Sequence, residues 1–457
     1  MASEERESGW RGVVARSQRG RMVAIALVVI VVVGGITAGV AATSQGTPAV
    51  PVLYMSGIGE HPCAPGQAFA VPALTREQFL PDSSVLTDDN LNSCTPDAVA
   101  ASTKWLNEGT IPGSSAAQRN LATRALLDLR LSVEADGAVV AGFYTNWDYA
   151  WPRDSSFVIA ALAGTGHSAE AFSALRFLQR MQNADGTWAA RYHPDGSGPV
   201  TDGRPAELDA VGWVPWAVWT WATARPAPPR SELAELFPMV TEAANAAVDS
   251  ITAGGLPNPS MDYWEDSTNE QTLGTAAPLL AGLRAAAGLA GMLGDTADQT
   301  HWQATAVELS DTITATFGKT GYQRTPSATS GADAAVTFLG PPFATPSAAV
   351  ISAAAAARSA VTEPNGGLRP GTAWPGATGV AYTPETAMFA LFDAGTGQQA
   401  AADQILDWLT AHSTTLGELS EQVSPAGKPI SVAPLAWTDA LVLLTLQAQQ
   451  HHLPPVP

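Results

Sequence analysis

Cysteine is nearly missing from this 457-residue chain: only Cys63 and Cys94 occur, with no CxxC pair and no Cys/His cluster. That excludes a thiolate metal centre and a cysteine-stapled scaffold. Basic residues are also few, 23 against 42 acidic ones for a formal net charge of −19, and no Lys/Arg cluster follows the first 21 residues. Nothing here can neutralise a phosphate backbone, so no nucleic-acid partner is expected. Charged residues make up 14% of the chain and apolar ones 46%, with 14 Trp. Such a chain folds around a large core, and its acidity reads as a solvated surface.

Charge is absent altogether from Met22 to Ala42 (MVAIALVVIVVVGGITAGVAA), a run long enough as a helix to cross a hydrocarbon layer of about 30 Å. Arg11, Arg16, Arg19 and Arg21 precede it, which places the N-terminus in the cytoplasm and the remainder outside. Val40-Ala41-Ala42 could serve a signal peptidase, but the apolar run exceeds the about 7–15 residues of an ordinary signal-peptide core. The expectation is a single-pass membrane anchor with an extracellular domain, and a secreted form if the leader is cleaved. In that compartment Cys63 and Cys94 can pair across the N-terminal extension or stay as two buried thiols.

The expected organisation is a cytoplasmic tail over 1–21, a transmembrane anchor over 22–42, an extracytoplasmic linker or extension over 43–112, one large domain over 113–450 and a disordered tail over 451–457. Thr43 to Val71, rich in Pro, Gly and Ser, reads as a stalk. Apolar spacing and caps then predict twelve helices, near 117–133, 153–165, 167–183, 207–224, 231–252, 269–293, 297–317, 332–340, 346–359, 384–395, 398–412 and 434–449. The best strand candidate is Ala138 to Tyr144. The class is therefore all-α, with the helices pairing into six hairpins closed as an (α/α)6 barrel.

Polar and aromatic residues gather before every second helix: Asn146 to Asp154, Arg204 to Asp209, Asp262 to Asp266, Asp333, Arg369 to Glu385, and Glu418 to Gln422. If alternate helices form an inner ring, all six clusters meet at one mouth and build one concave site. Hydrolysis of a sugar linkage needs two carboxyls, one protonated to assist the leaving oxygen and one ionised to activate water, about 6.5–9.5 Å apart for inversion. Aromatic faces pack on the sugar, while carboxylates and arginines take its hydroxyls. Loop 254–268 (GGLPNPSMDYWEDST) supplies Asp262, Glu265 and Asp266 beside Tyr263-Trp264, and crowding there would push one carboxyl up, as a general acid requires. A plain helix cap would also explain Asp266 and Ser267. Loop 417–435 offers Glu418 and Glu421; a capping box is the alternative reading, but both precede the next helix by more than a turn.

Asn146-Trp147-Asp148-Tyr149 followed by Trp151-Pro152-Arg153-Asp154 resembles the first signature of glycoside hydrolase family 15, the glucoamylases and their bacterial relatives. Glu207-Leu208-Asp209-Ala210-Val211-Gly212, Tyr263-Trp264-Glu265, Ser420-Glu421-Gln422 and Pro434-Leu435-Ala436-Trp437 resemble its later segments in the same order, over about 117–450; Asp333-Ala334 with Phe338-Leu339 is a weaker match. The resemblance implies an (α/α)6 barrel that removes glucose from non-reducing ends with inversion. Glu265 would be the general acid and Glu421 the general base. Arg153 and Asp154 would hold hydroxyls of the terminal sugar, with Trp151 packed in the same subsite, and Trp147, Asp209, Trp264, Trp374 and Trp437 complete the expected sugar site. The roughly 70 residues before the barrel are too few for the N-terminal β-sandwich of many bacterial members, and no starch-binding module follows. Short oligosaccharides suit such a chain better than raw starch.

The partners expected are an α-glucan or oligosaccharide and, through the apolar run, a lipid membrane, with the chain acting as a monomer. Trehalose or α-1,6-linked glucans are alternative substrates on this fold, and a sugar-binding surface protein without catalysis is an alternative function. A polysaccharide lyase fits poorly, because the acidic chain would repel a uronate polymer. No cofactor or catalytic metal is called for, although an Asp-rich loop leaves room for a structural calcium ion.

Overall fold

Helices of two kinds alternate along the chain, one buried on nearly every side and the other apolar along a single stripe. The computed structural model describes residues 49–87, 91–224, 230–453 and 455–457, and the predicted anchor at 22–42 lies outside them. The buried kind comprises α3 (Pro152–Thr165), α5 (Ala210–Thr223), α7 (Leu273–Leu293), α10 (Thr383–Gly395) and α12 (Ala436–Gln449). The striped kind comprises α2 (Ala116–Ser132), α4 (Ser168–Met181), α6 (Arg230–Ser250), α8 (Thr296–Thr316), α9 (Ala348–Val361) and α11 (Gln399–Ala411). In α8 only Trp302, Ala306, Leu309 and Ile313 are buried, the spacing of one helical face. An inner ring runs α3, α5, α7, the 3₁₀ segment Ala334–Leu339, α10, α12 and back to α3, with the striped helices packed outside it. This is the expected (α/α)6 barrel.

Inner helices carry starts suited to burial: Pro152 and Pro384 occupy the first turns of α3 and α10, where a missing N–H costs nothing, and Thr272 caps α7 through the amide of Thr275. α7 is long and apolar enough to cross a membrane, yet it is an interior helix with most of its residues buried. It crosses α5 at two glycines: a Cβ on Gly282 would stand 2.5 Å from Gly212 Cα, so only glycine permits this approach.

Several expectations are corrected. The eighth element is a six-residue 3₁₀ turn, not a helix over 332–340; Asp333 caps it through the amide of Ala335, and Gly340 followed by Pro341 and Pro342 ends it. Ala138 to Tyr144 is no strand, because Ala141 and Gly142 bond the carbonyls of Tyr149 and Trp147 and curl the segment. The stretch read as a stalk contains β1 (Met55–Glu60), antiparallel to β2 (Ala68–Pro72), and the extension continues with α1 (Thr95–Glu108) packed on α2. β1 is wholly buried, and Arg130 of α2 pairs with Glu60 at 3.1 Å. Cys63 and Cys94 are joined as a disulfide across this extension. The C-terminal tail is also packed: Val456 is buried and the Trp219 indole donates to the carbonyl of Pro455.

Candidate active site

The loops before the inner elements converge at one end of the barrel and enclose a cavity of about 300 Å³. Trp147, Trp151, Arg153 and Asp154 reach it from the start of α3, Trp264 and Glu265 from the loop before α7, and Trp374 and Glu385 from the approach to α10. Glu421 and Trp437 come from the approach to α12. Sequence clusters up to 290 residues apart thus share one site. Its floor is aromatic: Trp437 packs on Phe157 at 5.7 Å and Phe157 on Trp213 at 5.1 Å. Trp264, Trp374 and Tyr382 form an edge-to-face wall with centroids 5.1 and 5.6 Å apart. The indole nitrogens of Trp151, Trp264 and Trp437 are buried without hydrogen-bond partners, as donors kept for a ligand would be.

Arg153 organises the acids. One guanidinium nitrogen donates to Glu207 (2.5 Å) and Asp209 (3.2 Å), the other to Glu265 (3.3 Å), and the group lies over the Trp437 ring. Burial alone would lower the guanidinium, but Glu207 and Asp209 outweigh it and hold it well above its ordinary value. Burial also pushes Asp154 up to about 7, with Arg153 opposing and Glu265 adding to the rise.

Glu265 sits at φ 56°, in the left-handed region that disfavours side chains, and its amide closes a tight turn onto the Asp262 carbonyl at 2.7 Å. This turn aims the carboxyl into the cavity, where it is ion-paired to Arg204 and Arg153. Glu421 is held differently. Its amide bonds the Val432 carbonyl, and its carbonyl accepts from Thr383 at 2.9 Å. β4 (Gln422–Val423) then pairs with β3 (Ala381–Tyr382) and β5 (Pro429–Ile430). Its carboxylate accepts from Ser431 Oγ (2.5 Å), Gln422 Nε2 (3.1 Å) and Trp147 Nε1 (3.3 Å). Burial pushes Glu421 up, while Ser431 and Trp147 favour its ionised form.

The N-terminal extension reaches this site. Ser431, at φ 67°, donates its amide to the Val52 carbonyl and accepts from the Tyr54 amide, while the Tyr54 ring packs on Tyr144 and Trp147. Two donors to Glu421 are therefore braced from outside the barrel. Gly57 of β1 lies so near Glu418 that a Cβ would stand 2.2 Å from its carboxylate.

Of the expected sugar-site residues, only Asp209 misses the cavity: it is buried beneath it and acts through Arg153 and the Trp213 indole. Asp262 and Glu418 also turn inward, Asp262 to Arg324 and Thr272, Glu418 to the Ile58 amide. Crowding within 262–266 was the expected source of a raised carboxyl; the cavity acids that burial raises are Asp154, Glu385 and Glu421. Arg191 and Ser431 were not anticipated. Arg191 follows α4 and stacks over Tyr149 and Trp151 while bonding Asp202 and the Asn146 carbonyl; no motif announces it. Among the described residues no group of three or more His, Cys, Asp or Glu is arranged to hold a metal ion.

The (α/α)6 barrel thus brings aromatic faces, arginines and carboxyls from separate loops together at one mouth. Its fold is similar to those of solved glycosidases and family 15 glucoamylases. It superposes on a wild-type glycosidase with a TM-score of 0.64 at 20% identity, covering 75% of this chain and all of that one. A bacterial glucoamylase complexed with acarbose gives 0.60 at 16% identity over 79% of this chain and 59% of that one. The family 15 glucoamylase of Hypocrea jecorina gives 0.57 at 15% identity over 72% and 69%. In sequence, the chain is 28% identical over 101 residues to an uncharacterised glycosyl hydrolase of Methanocaldococcus jannaschii, a match spanning 22% of this chain and 16% of that protein. No protein-family model matches the chain.

Proposed function

We propose that this chain is an inverting, exo-acting α-glucosidase of the glucoamylase type, with Glu265 as general acid and Glu421 as general base, held at the outer face of a membrane by its apolar N-terminal run. The observation that carries the reading is the delivery of Glu265 and Glu421, by separate loops, into one aromatic-floored cavity that also presents Arg153 and Asp154. A cavity of about 300 Å³ is at the small end of ligand sites and suits a chain terminus rather than a chain interior. Protonated Glu265 gives its proton to the glycosidic oxygen as the bond to the anomeric carbon breaks. Ionised Glu421 takes a proton from water, whose oxygen bonds that carbon from the opposite face, and the product leaves as β-glucose.

Maltose, isomaltose, trehalose and a longer maltooligosaccharide, each incubated with the purified full-length chain, test this through the anomeric proton signals of fresh product. Release of β-glucose from any of them is expected and names the linkage. Glucose freed from the longer maltooligosaccharide as the α anomer would overturn inversion, whereas trehalose frees one α-glucose as leaving group and maltose and isomaltose free their reducing-end glucose as a mixture under either mechanism; no release from a folded sample would move the reading to a different glycan or to sugar binding alone.

Ser431 offers a check on the base. Its hydroxyl favours ionised Glu421, so Ser431→Ala lets burial push that carboxyl higher. Because kcat/KM falls on the acid side as the base takes up its proton, the acid limb is expected to move to higher pH by about half to one unit. An unmoved acid limb would separate Glu421 from that titration.

A further inference from the structure

One cavity carboxyl has no part in this hydrolytic scheme. Glu385 stands in the first turn of α10 beside Pro384, and both line the cavity. It is 4% exposed, and its Oε2 is buried without a hydrogen-bond partner. Its acidic neighbours are provided for: Asp333 has Arg324, and Glu421 has three donors. Among the described residues no arginine or lysine is ion-paired with Glu385. An unpaired acid facing a cavity is a group whose partner arrives with the ligand.

We propose, resting on the glucosidase reading above, that Glu385 is a specificity-determining sugar-binding residue: its carboxylic acid donates a hydrogen bond from Oε2 to a hydroxyl of the glucose ring seated between Glu265 and Glu421. The surroundings hold it in the form that donates. Burial pushes Glu385 up to about 8; its own backbone amide and Arg153 oppose that rise, and Glu421 and Asp333 reinforce it. A neutral acid in a low-dielectric wall binds a neutral hydroxyl without leaving an unpaired charge, which a carboxylate there would not. Tyr382 and Asp154 share the cavity, and Asp154 titrates near 7, so a test has to separate Glu385 from that neighbour.

Glucose binding to the full-length chain, followed by the fluorescence of the cavity tryptophans, provides the test for wild type, Glu385→Gln and Glu385→Leu at pH values about one and a half units below and above 8. The amide of Glu385→Gln keeps an uncharged donor, so its affinity is expected within about threefold of wild type on the acid side and about tenfold above wild type on the alkaline side. Glu385→Leu is expected to bind about five- to tenfold more weakly than wild type on the acid side. Asp154 is common to all three proteins, so its titration cancels in these ratios. A Gln variant that follows wild type across the whole range overturns the proposal even if the Leu variant fails to fold, and so does a folded Leu variant that binds as wild type does. Glucose binding by none of the three overturns the glucosidase reading beneath the proposal; binding indifferent to Glu385 overturns the proposal alone.

Discussion

Glu421→Gln is expected to lower kcat by about 10²–10⁴-fold, the range lost with a general base, while the melting temperature holds or rises. The substitution keeps the shape of the side chain: the amide oxygen can accept from the Trp147 indole where Oε1 stands, and the NH2 can donate to the Ser431 hydroxyl where Oε2 stands. It removes a carboxylate that burial disfavours, so the fold has no reason to weaken. Steady-state rates on the substrate found above, with a thermal melt of the same sample, provide the check. Unchanged turnover would remove Glu421 from the base role; a collapsed melt would make it a structural acid. The result bears on more than one residue, because the Glu421 backbone is clamped between Val432 and Thr383 and its carboxylate between donors from three segments. So many contacts on one side chain make sense where its position limits the reaction.

Most of the barrel was legible because its signal is periodic: inner helices read as nearly continuous apolar runs, outer ones as stripes, and polar residues cluster ahead of alternate helices. The same reading overvalued carboxylates. Asp209, Asp262 and Glu418 stand in the right loops and look no different in sequence from Glu265 and Glu421, yet each points into the protein toward an arginine, a hydroxyl or a backbone amide. What decides between them is backbone conformation at single residues. Glu265 reaches the cavity through a left-handed φ that its residue type does not advertise, and the Ser431 hydroxyl reaches Glu421 through another. The extension was misread for a related reason. β1 is short, and its contacts are with residues far along the chain, Glu418 and Arg130 among them, so no local pattern distinguishes it from a stalk.

Arg324→Ala is expected to cost about 3–5 kcal/mol of stability, the penalty for leaving buried acids without their counter-ion. Arg324 donates to Asp262 (3.0 Å) and Asp333 (3.2 Å), both fully buried; burial would lower its guanidinium, but these two carboxylates hold it above its ordinary value. Burial already pushes Asp333 up with Arg324 opposing, so losing the arginine removes the main charge that keeps it ionised. The guanidinium also lies 3.7 Å from the Trp264 ring centre, and Tyr263 donates to Asp333 at 2.5 Å. Residues 262–265 therefore rest on this network, so kcat is expected to fall together with stability although Arg324 does not line the cavity. Chemical denaturation and rates on Arg324→Ala, and on a triple variant adding Asp262→Asn and Asp333→Asn, separate the two effects. Neutralising both acids is expected to restore much of the stability while leaving turnover low, because Trp264 still lacks its support. A single variant that loses under about 1 kcal/mol would mean that water reaches these acids and replaces the arginine. Full turnover in the triple variant would show that Glu265 is aimed by its own strained turn alone, without the charge beneath it.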